Sequence, residues 1–119
     1  MLNNISTIAV VGASSNTNKY GYKVYKHFLE QGANVFPVNY KGGEILGNIV
    51  YTSLSEIPEK IDLVILVVPP QVSEEIVKKA LLQGVKKIWF QPGSESKKAI
   101  EYCQENNILT QTDSCIMLQ

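Results

Sequence analysis

The most constraining feature of this chain is a transition that it repeats. A short, unbroken apolar run ends in Gly, Pro or Ser and gives way to helical periodicity. Residues 8–11 run into Gly12-Ala13-Ser14, residues 62–68, apolar after Asp62, stop at Pro69-Pro70, and residues 86–91, apolar at 88–90, stop at Pro92-Gly93. Apolar runs without polar alternation are strands buried on both faces, the habit of a parallel sheet covered by helices on each side. Further strands are expected over 34–38, where Pro37 marks a strand end or an edge, over 49–51, and over 108–112. Between them the pattern predicts a helix over 20–31 stopped by Gly32, and a single turn opened by the box Ser53-Leu54-Ser55-Glu56 and ended by Pro58. It also predicts a helix capped by Ser73 and closed by Gly84, and one from Ser94 to about Asn106. The expected fold class is α/β, a doubly wound, mostly parallel, Rossmann-like sheet in a single domain over 1–119, with the first strand central beside strand 62–68.

Composition narrows the partners. Eleven lysines balance eleven acidic residues and there is no arginine. A neutral chain lacks the basic surplus expected of a nucleic-acid or anionic-membrane binder. Any anion must be held by ammonium groups and backbone amides, without a guanidinium fork. Cys103 and Cys115 fit no zinc or disulfide framework, and no cluster suggests a metal. Met1-Leu2-Asn3-Asn4 lacks the charged and apolar regions of a signal peptide, and no apolar run reaches the ~20 residues needed to cross a bilayer. A cytoplasmic protein with no membrane or nucleic-acid partner is the expectation.

In open α/β sheets ligands sit beyond the carboxyl ends of the strands, where strand order reverses. That places a site between Gly12 and Val68-Pro69-Pro70. The loops after the other strands share its rim: Asn39 with Lys41, then Gln91-Pro92-Gly93, then Asp113-Ser114-Cys115. The loop Gly12, Ala13, Ser14, Ser15, Asn16, followed by Lys19, Tyr20 and Gly21, empties a strand into a helix N-terminus, a natural anion cradle. A dinucleotide fits poorly. The glycine after Gly12 is nine positions on, at Gly21, and Asn39 stands where an acid should read the ribose hydroxyls. No Gly-Lys-Ser/Thr follows, so the loop is not a Walker A sequence.

The ordered series Gly12-Ala13-Ser14, Pro37-Val38-Asn39, Gly47, Tyr51-Thr52-Ser53-Leu54, Ile57-Pro58, Asp62-Leu63-Val64, Val68-Pro69-Pro70, Trp89-Phe90-Gln91-Pro92-Gly93 and Asp113-Ser114-Cys115-Ile116 resembles the small stand-alone CoA-binding proteins. Their fold is shared with the N-terminal domain of the succinyl-CoA synthetase α subunit. The resemblance spans nearly the whole chain. It implies CoA or acyl-CoA as ligand, with the phosphates at Ala13–Asn16 and Lys19, Lys41 as a further contact, and Val68-Pro69-Pro70 lying along CoA. The synthetase phosphorylates a histidine in a second domain, whereas His27 here falls mid-helix. Non-catalytic CoA binding is therefore the leading expectation. The alternative is a subunit of an NAD(P)- or CoA-thioester-using oxidoreductase or transferase that needs a partner chain; a homo-oligomer or a partner enzyme subunit is the expected assembly.

Several residues carry two readings. Lys41 is a ligand contact or a solvated loop lysine, and Pro69-Pro70 is a ligand wall or a strand terminator. Cys103 falls on an apolar helix face. Cys115 is either a structural thiol or one able to exchange with a CoA disulfide. Trp89 and Phe90, adjacent on a strand, face opposite sides and pack against two helix layers.

Overall fold

The computed structural model describes residues 4–118; the N-terminal reading of Met1-Leu2-Asn3 lies outside them. Five strands form one sheet: β1 (Thr7–Val11), β2 (Asn34–Val38), β5 (Leu63–Leu66), β6 (Lys87–Phe90) and β7 (Leu109–Gln111). Their order is β2-β1-β5-β6-β7, and every neighbour pair is parallel. Helix α1 (Tyr20–Glu30) follows β1, α2 (Pro70–Leu82) follows β5, and α3 (Lys97–Glu105) follows β6. β1 is thus one strand from the edge and β5 is central, a small correction to the expected order. The reversal of winding still falls between β1 and β5.

Side-chain alternation explains the two helix layers. Ala9, Val11, Val64, Leu66, Ile88 and Phe90 belong to the core under α2 and α3. Ile8, Val10, Leu63, Ile65 and Trp89 belong to the core under α1. Both faces of β1 and β5 are therefore buried, which is why these strands read as continuous apolar runs. Asp62 registers their starts, its Oδ2 accepting from Ser6 N and Thr7 N at 2.9 Å each. Pro37 sits on β2, the sheet edge, where its carbonyl accepts from Tyr51 N at 3.0 Å.

Helix starts are displaced from three expected caps. α2 begins at Pro70, with Pro69 as N-cap and Ser73 buried inside the helix. Pro-Pro ends the strand and also opens the helix, since proline at the first helical position loses no hydrogen bond. α3 is capped by Ser96, whose Oγ accepts from Ala99 N, and not by Ser94. The turn Leu54–Glu56 forms, but Glu56 reaches back to Thr52 N and Oγ1, both at 2.7 Å, so Ser53 caps nothing with its side chain. The strand expected over 49–51 resolves into a hairpin of β3 (Glu44–Ile45) and β4 (Asn48–Ile49), with Tyr51 making a single bridge to Val38.

Cys103 is fully buried on α3, and burial pushes its thiol up to about 11 from an ordinary 9.0. The folded state then holds the proton more tightly than the unfolded chain. The associated stability is intact below pH ~9 and is lost as pH rises towards 11. Denaturant titrations at pH 8 and pH 10.5 should show this fall, and Cys103→Ala should reduce it. An unchanged fall in that variant would assign it to other groups.

Candidate functional site

A cleft of about 1010 Å³ opens at the carboxyl edge of the sheet, between the loop after β1 and the start of α2. That is the upper end of the range for small-molecule pockets. Its floor is the junction of β1 and β5, where Gly12 meets Val67 and Val68. Gly12 has φ +98°, and a Cβ there would lie 2.1 Å from the Val67 carbonyl oxygen. Gly21, in the first turn of α1, is pressed as closely: its Cβ would lie 1.9 Å from the Gly12 oxygen. Gly21 thus lets the helix approach the strand end, the role of the last glycine in dinucleotide fingerprints, although the spacing differs from theirs.

The loop between these glycines is shaped by its own side chains. Ser14 Oγ accepts from Asn16 N at 3.1 Å, and Asn16 Oδ1 accepts from Asn18 N at 3.0 Å. Asn39 Nδ2 donates to the Ala13 carbonyl at 2.9 Å, tying the end of β2 to the loop. Helix α1 then starts at Lys19 with no side-chain cap and no acid in its first turn. The positive end of the helix carries a lysine where an acid or a Ser/Asp cap would normally be favoured. Among the described residues Lys19 has no ion-pair partner within 4 Å, and this helix end faces the cleft.

The opposite wall is apolar by construction. Pro69 has no N–H, and Val68 N donates to Ser94 Oγ at 3.0 Å. Ser94 is itself buried and accepts from Ser73 Oγ at 2.7 Å, so it braces the wall against α2. This is the function of the two serines expected to be caps.

The structure collects most of the expected site residues on this cleft: Gly12, Ala13, Ser14, Ser15 and Asn16, with Lys19, Tyr20 and Gly21 on one side. Asn39 and Lys41 follow from β2, and Val68 and Pro69 stand across the switch point. Pro70, Gln91, Pro92 and Gly93 do not line it. Gln91 is buried and turned to the C-terminal segment, its Oε1 accepting from Ile116 N at 2.8 Å and its Nε2 donating to Cys115 Sγ at 3.2 Å. Cys115 therefore lies against Gln91 and outside the cleft. His27 is half-buried on α1, edge-on to Phe28 at 5.0 Å, and does not line the cleft either.

Sequence reasoning missed one wall. Gln71, Val72, Glu75, Ile76 and Lys79 run down α2 along the cleft. Their i, i+1, i+4, i+5, i+8 spacing was a visible signal of a second helix face. Lys79 adds a third cleft lysine to Lys19 and Lys41, against Glu44 and Glu75. No histidine or cysteine lines the cleft among the described residues, and they hold no cluster of three or more metal-ligating side chains.

A family model described as a CoA binding domain matches residues 6–119. The chain belongs to the CoA-binding domain family. Within that family it is 36% identical over 107 residues to the α subunit of an ADP-forming acetate–CoA ligase from Pyrococcus furiosus; the match covers 80% of this chain and 23% of that subunit. The chain thus spans about a quarter of the length of that curated relative. A conserved hypothetical protein from the same organism superposes with a TM-score of 0.89 at 40% identity, covering 94% of this chain and 97% of the other. A hypothetical protein from Pyrococcus horikoshii OT3 gives a TM-score of 0.92 at 36% identity, over 97% and 81% of the two chains. The CoA-binding family and the parallel, Rossmann-like fold are as the motif series implied. No helix among the described residues is long and apolar enough to cross a membrane.

Proposed function

We propose that this chain binds CoA or an acyl-CoA in the cleft at the β1/β5 switch point and performs no reaction by itself. The observation that carries the reading is the start of α1: an uncapped helix end, with Lys19 at its cap and no first-turn acid, opening onto a large cleft in a CoA-binding domain. The diphosphate of CoA supplies the missing negative charge. Ala13 N and Asn16 N are taken by the Val38 carbonyl and Ser14 Oγ, so the amides the diphosphate uses are those of Ser14, Ser15 and the first turn of α1, and Lys19 and Lys41 contribute the cations. The donor-poor wall Val68-Pro69 suits the apolar parts of the ligand. The cleft's ionisable groups are lysines, glutamates and the two tyrosines Tyr20 and Tyr40, a poor set for phosphoryl or acyl transfer without another chain. The family relative named as a ligase α subunit favours a second role for the same site, as the CoA-holding part of a larger assembly.

Thermal unfolding with added ligand tests the binding. CoA at 100 times its dissociation constant should add about 2.7 kcal/mol of stability. NAD at the same concentration should add much less, because Asn39 offers no carboxylate to its ribose. A shift with NAD and none with CoA would overturn the reading.

A further inference from the structure

Two of the most exposed aromatic side chains of the protein stand on the lips of the cleft. Tyr20 is 60% exposed on the first turn of α1, and Tyr40 is 80% exposed immediately after β2. An exposed ring on the lip of a pocket offers a flat apolar face that a ligand can cover, gaining the burial of that area. The two differ in how firmly they are held. Tyr40 occupies a tight turn in which Gly42 N donates to the Asn39 carbonyl at 2.9 Å. Asn39 in turn is fixed at each polar group: its N donates to the Tyr51 carbonyl at 2.9 Å, its Nδ2 to Ala13, and its Oδ1 accepts from Lys41 N at 2.9 Å. The Tyr40 backbone is therefore anchored to the phosphate-facing loop itself. Lys41 Nζ lies over the Tyr40 ring, 5.7 Å from its centroid, and takes one face of the ring in a cation–π contact. The other face remains for a flat partner.

We propose that Tyr40 is the stacking platform for the ligand's purine base. This rests on the proposed binding of CoA, whose adenine is the flat, apolar, sequence-distant end of a molecule anchored by its phosphates. A ring on a pinned turn gives up little conformational freedom on binding, so most of the stacking energy appears as affinity. Phosphate anchoring at the loop and base stacking one residue beyond Asn39 make the pocket a reader of adenine nucleotides, with the pantetheine arm left to the apolar wall. Tyr20 has its own cation–π contact, with Lys23 Nζ 5.8 Å from the ring centroid, but it stands in the first turn of a helix without a side-chain cap and lacks the pinned turn, so it is not the platform.

Calorimetric titration of the wild type, Tyr40→Ala, Tyr40→Phe and Tyr20→Ala with CoA and with 4′-phosphopantetheine, which has no base, tests this. Tyr40→Ala should weaken CoA about tenfold or more, the usual loss for a base–aromatic stack, with 4′-phosphopantetheine unchanged. Tyr40→Phe should retain CoA within about twofold, since the ring and not the hydroxyl is used. Tyr40 is exposed, so an unchanged unfolding temperature is expected and confirms that the variant is folded. Wild-type affinity for CoA in Tyr40→Ala overturns the inference while leaving CoA binding intact. So does an equal loss for 4′-phosphopantetheine, or a larger loss in Tyr20→Ala. A wild type that binds no CoA overturns the proposed function and this inference together.

Discussion

Gly21→Ala should destabilise the protein by about 3 kcal/mol, lowering its unfolding temperature by roughly 10 °C for a domain of this size. The cause is steric alone. A methyl group at position 21 would lie 1.9 Å from the Gly12 carbonyl oxygen and 3.2 Å from Ala13 Cα, which are backbone atoms that no rotamer change can move. Relief requires the first turn of α1 to lift from the strand end, and that lift would also withdraw the helix amides from the cleft. Ligand binding should fall with stability. Gly32→Asn provides the control: its φ is +78° but nothing lies within 4 Å of the added Cβ, and asparagine tolerates that conformation. It should change stability by less than about 1 kcal/mol. A Gly21→Ala protein that melts within 2 °C of wild type would show that the interlock of Gly12 and Gly21 is not what sets the loop.

Removing both loop cations should have the second large effect. Lys19 and Lys41 flank the loop from opposite sides, one at the cap of α1 and one after β2. Both are exposed, so each contributes through solvent-screened attraction to phosphate, about 1 kcal/mol apiece. Lys19→Ala with Lys41→Ala should weaken CoA about 30-fold, and the loss should shrink as salt is raised. Pantetheine, which has no phosphate, should bind the double variant as it binds wild type. Equal losses for CoA and pantetheine would mean that the lysines shape the cleft and do not read the phosphates. Stability should hardly change, because neither lysine forms an ion pair within 4 Å among the described residues.

The large features of this fold were legible because burial writes itself directly into sequence. Strands covered on both faces must be apolar throughout, and 8–11 and 63–68 are. The turns were harder, because one residue type serves several local structures. Ser73 and Ser94 have the look of caps, yet both are buried side chains that bond each other's segments across 21 residues. Pro69-Pro70 reads as a stop, and only the helix beyond it shows that a proline is also a start. The hairpin of β3 and β4 has two-residue strands, too short to carry a period. It is pinned by Ile45 and Val50, which enter the core under α1.

The site was legible at its loop and misjudged at its margins. Gly12, Lys19, Asn39, Lys41 and Val68 meet at the cleft because strand-end loops must meet at a switch point. Gln91 follows a strand too, but β6 is one strand farther from the switch, and its glutamine is consumed in fixing Cys115 and Ile116. The same contact holds Cys115 against Gln91, outside the cleft lining. The α2 wall is hard to read because Ile76, in an apolar helix stripe, fits a core role as well as a cleft role. Ile76 serves both, packing against the core and lining the cleft.

The central claim is that the loop from Gly12 to Gly21 is the phosphate seat of a CoA site. Backbone amide NMR during a CoA titration tests it most directly. Saturable shifts are expected at Ala13–Asn16, at Tyr20–Tyr22 and at Lys41, with Gln91, Gly93 and Cys115 unmoved. Shifts centred on Gln91 to Gly93 and Cys115 with a silent Gly12–Gly21 loop would contradict it, as would a loop that responds to NAD and not to CoA.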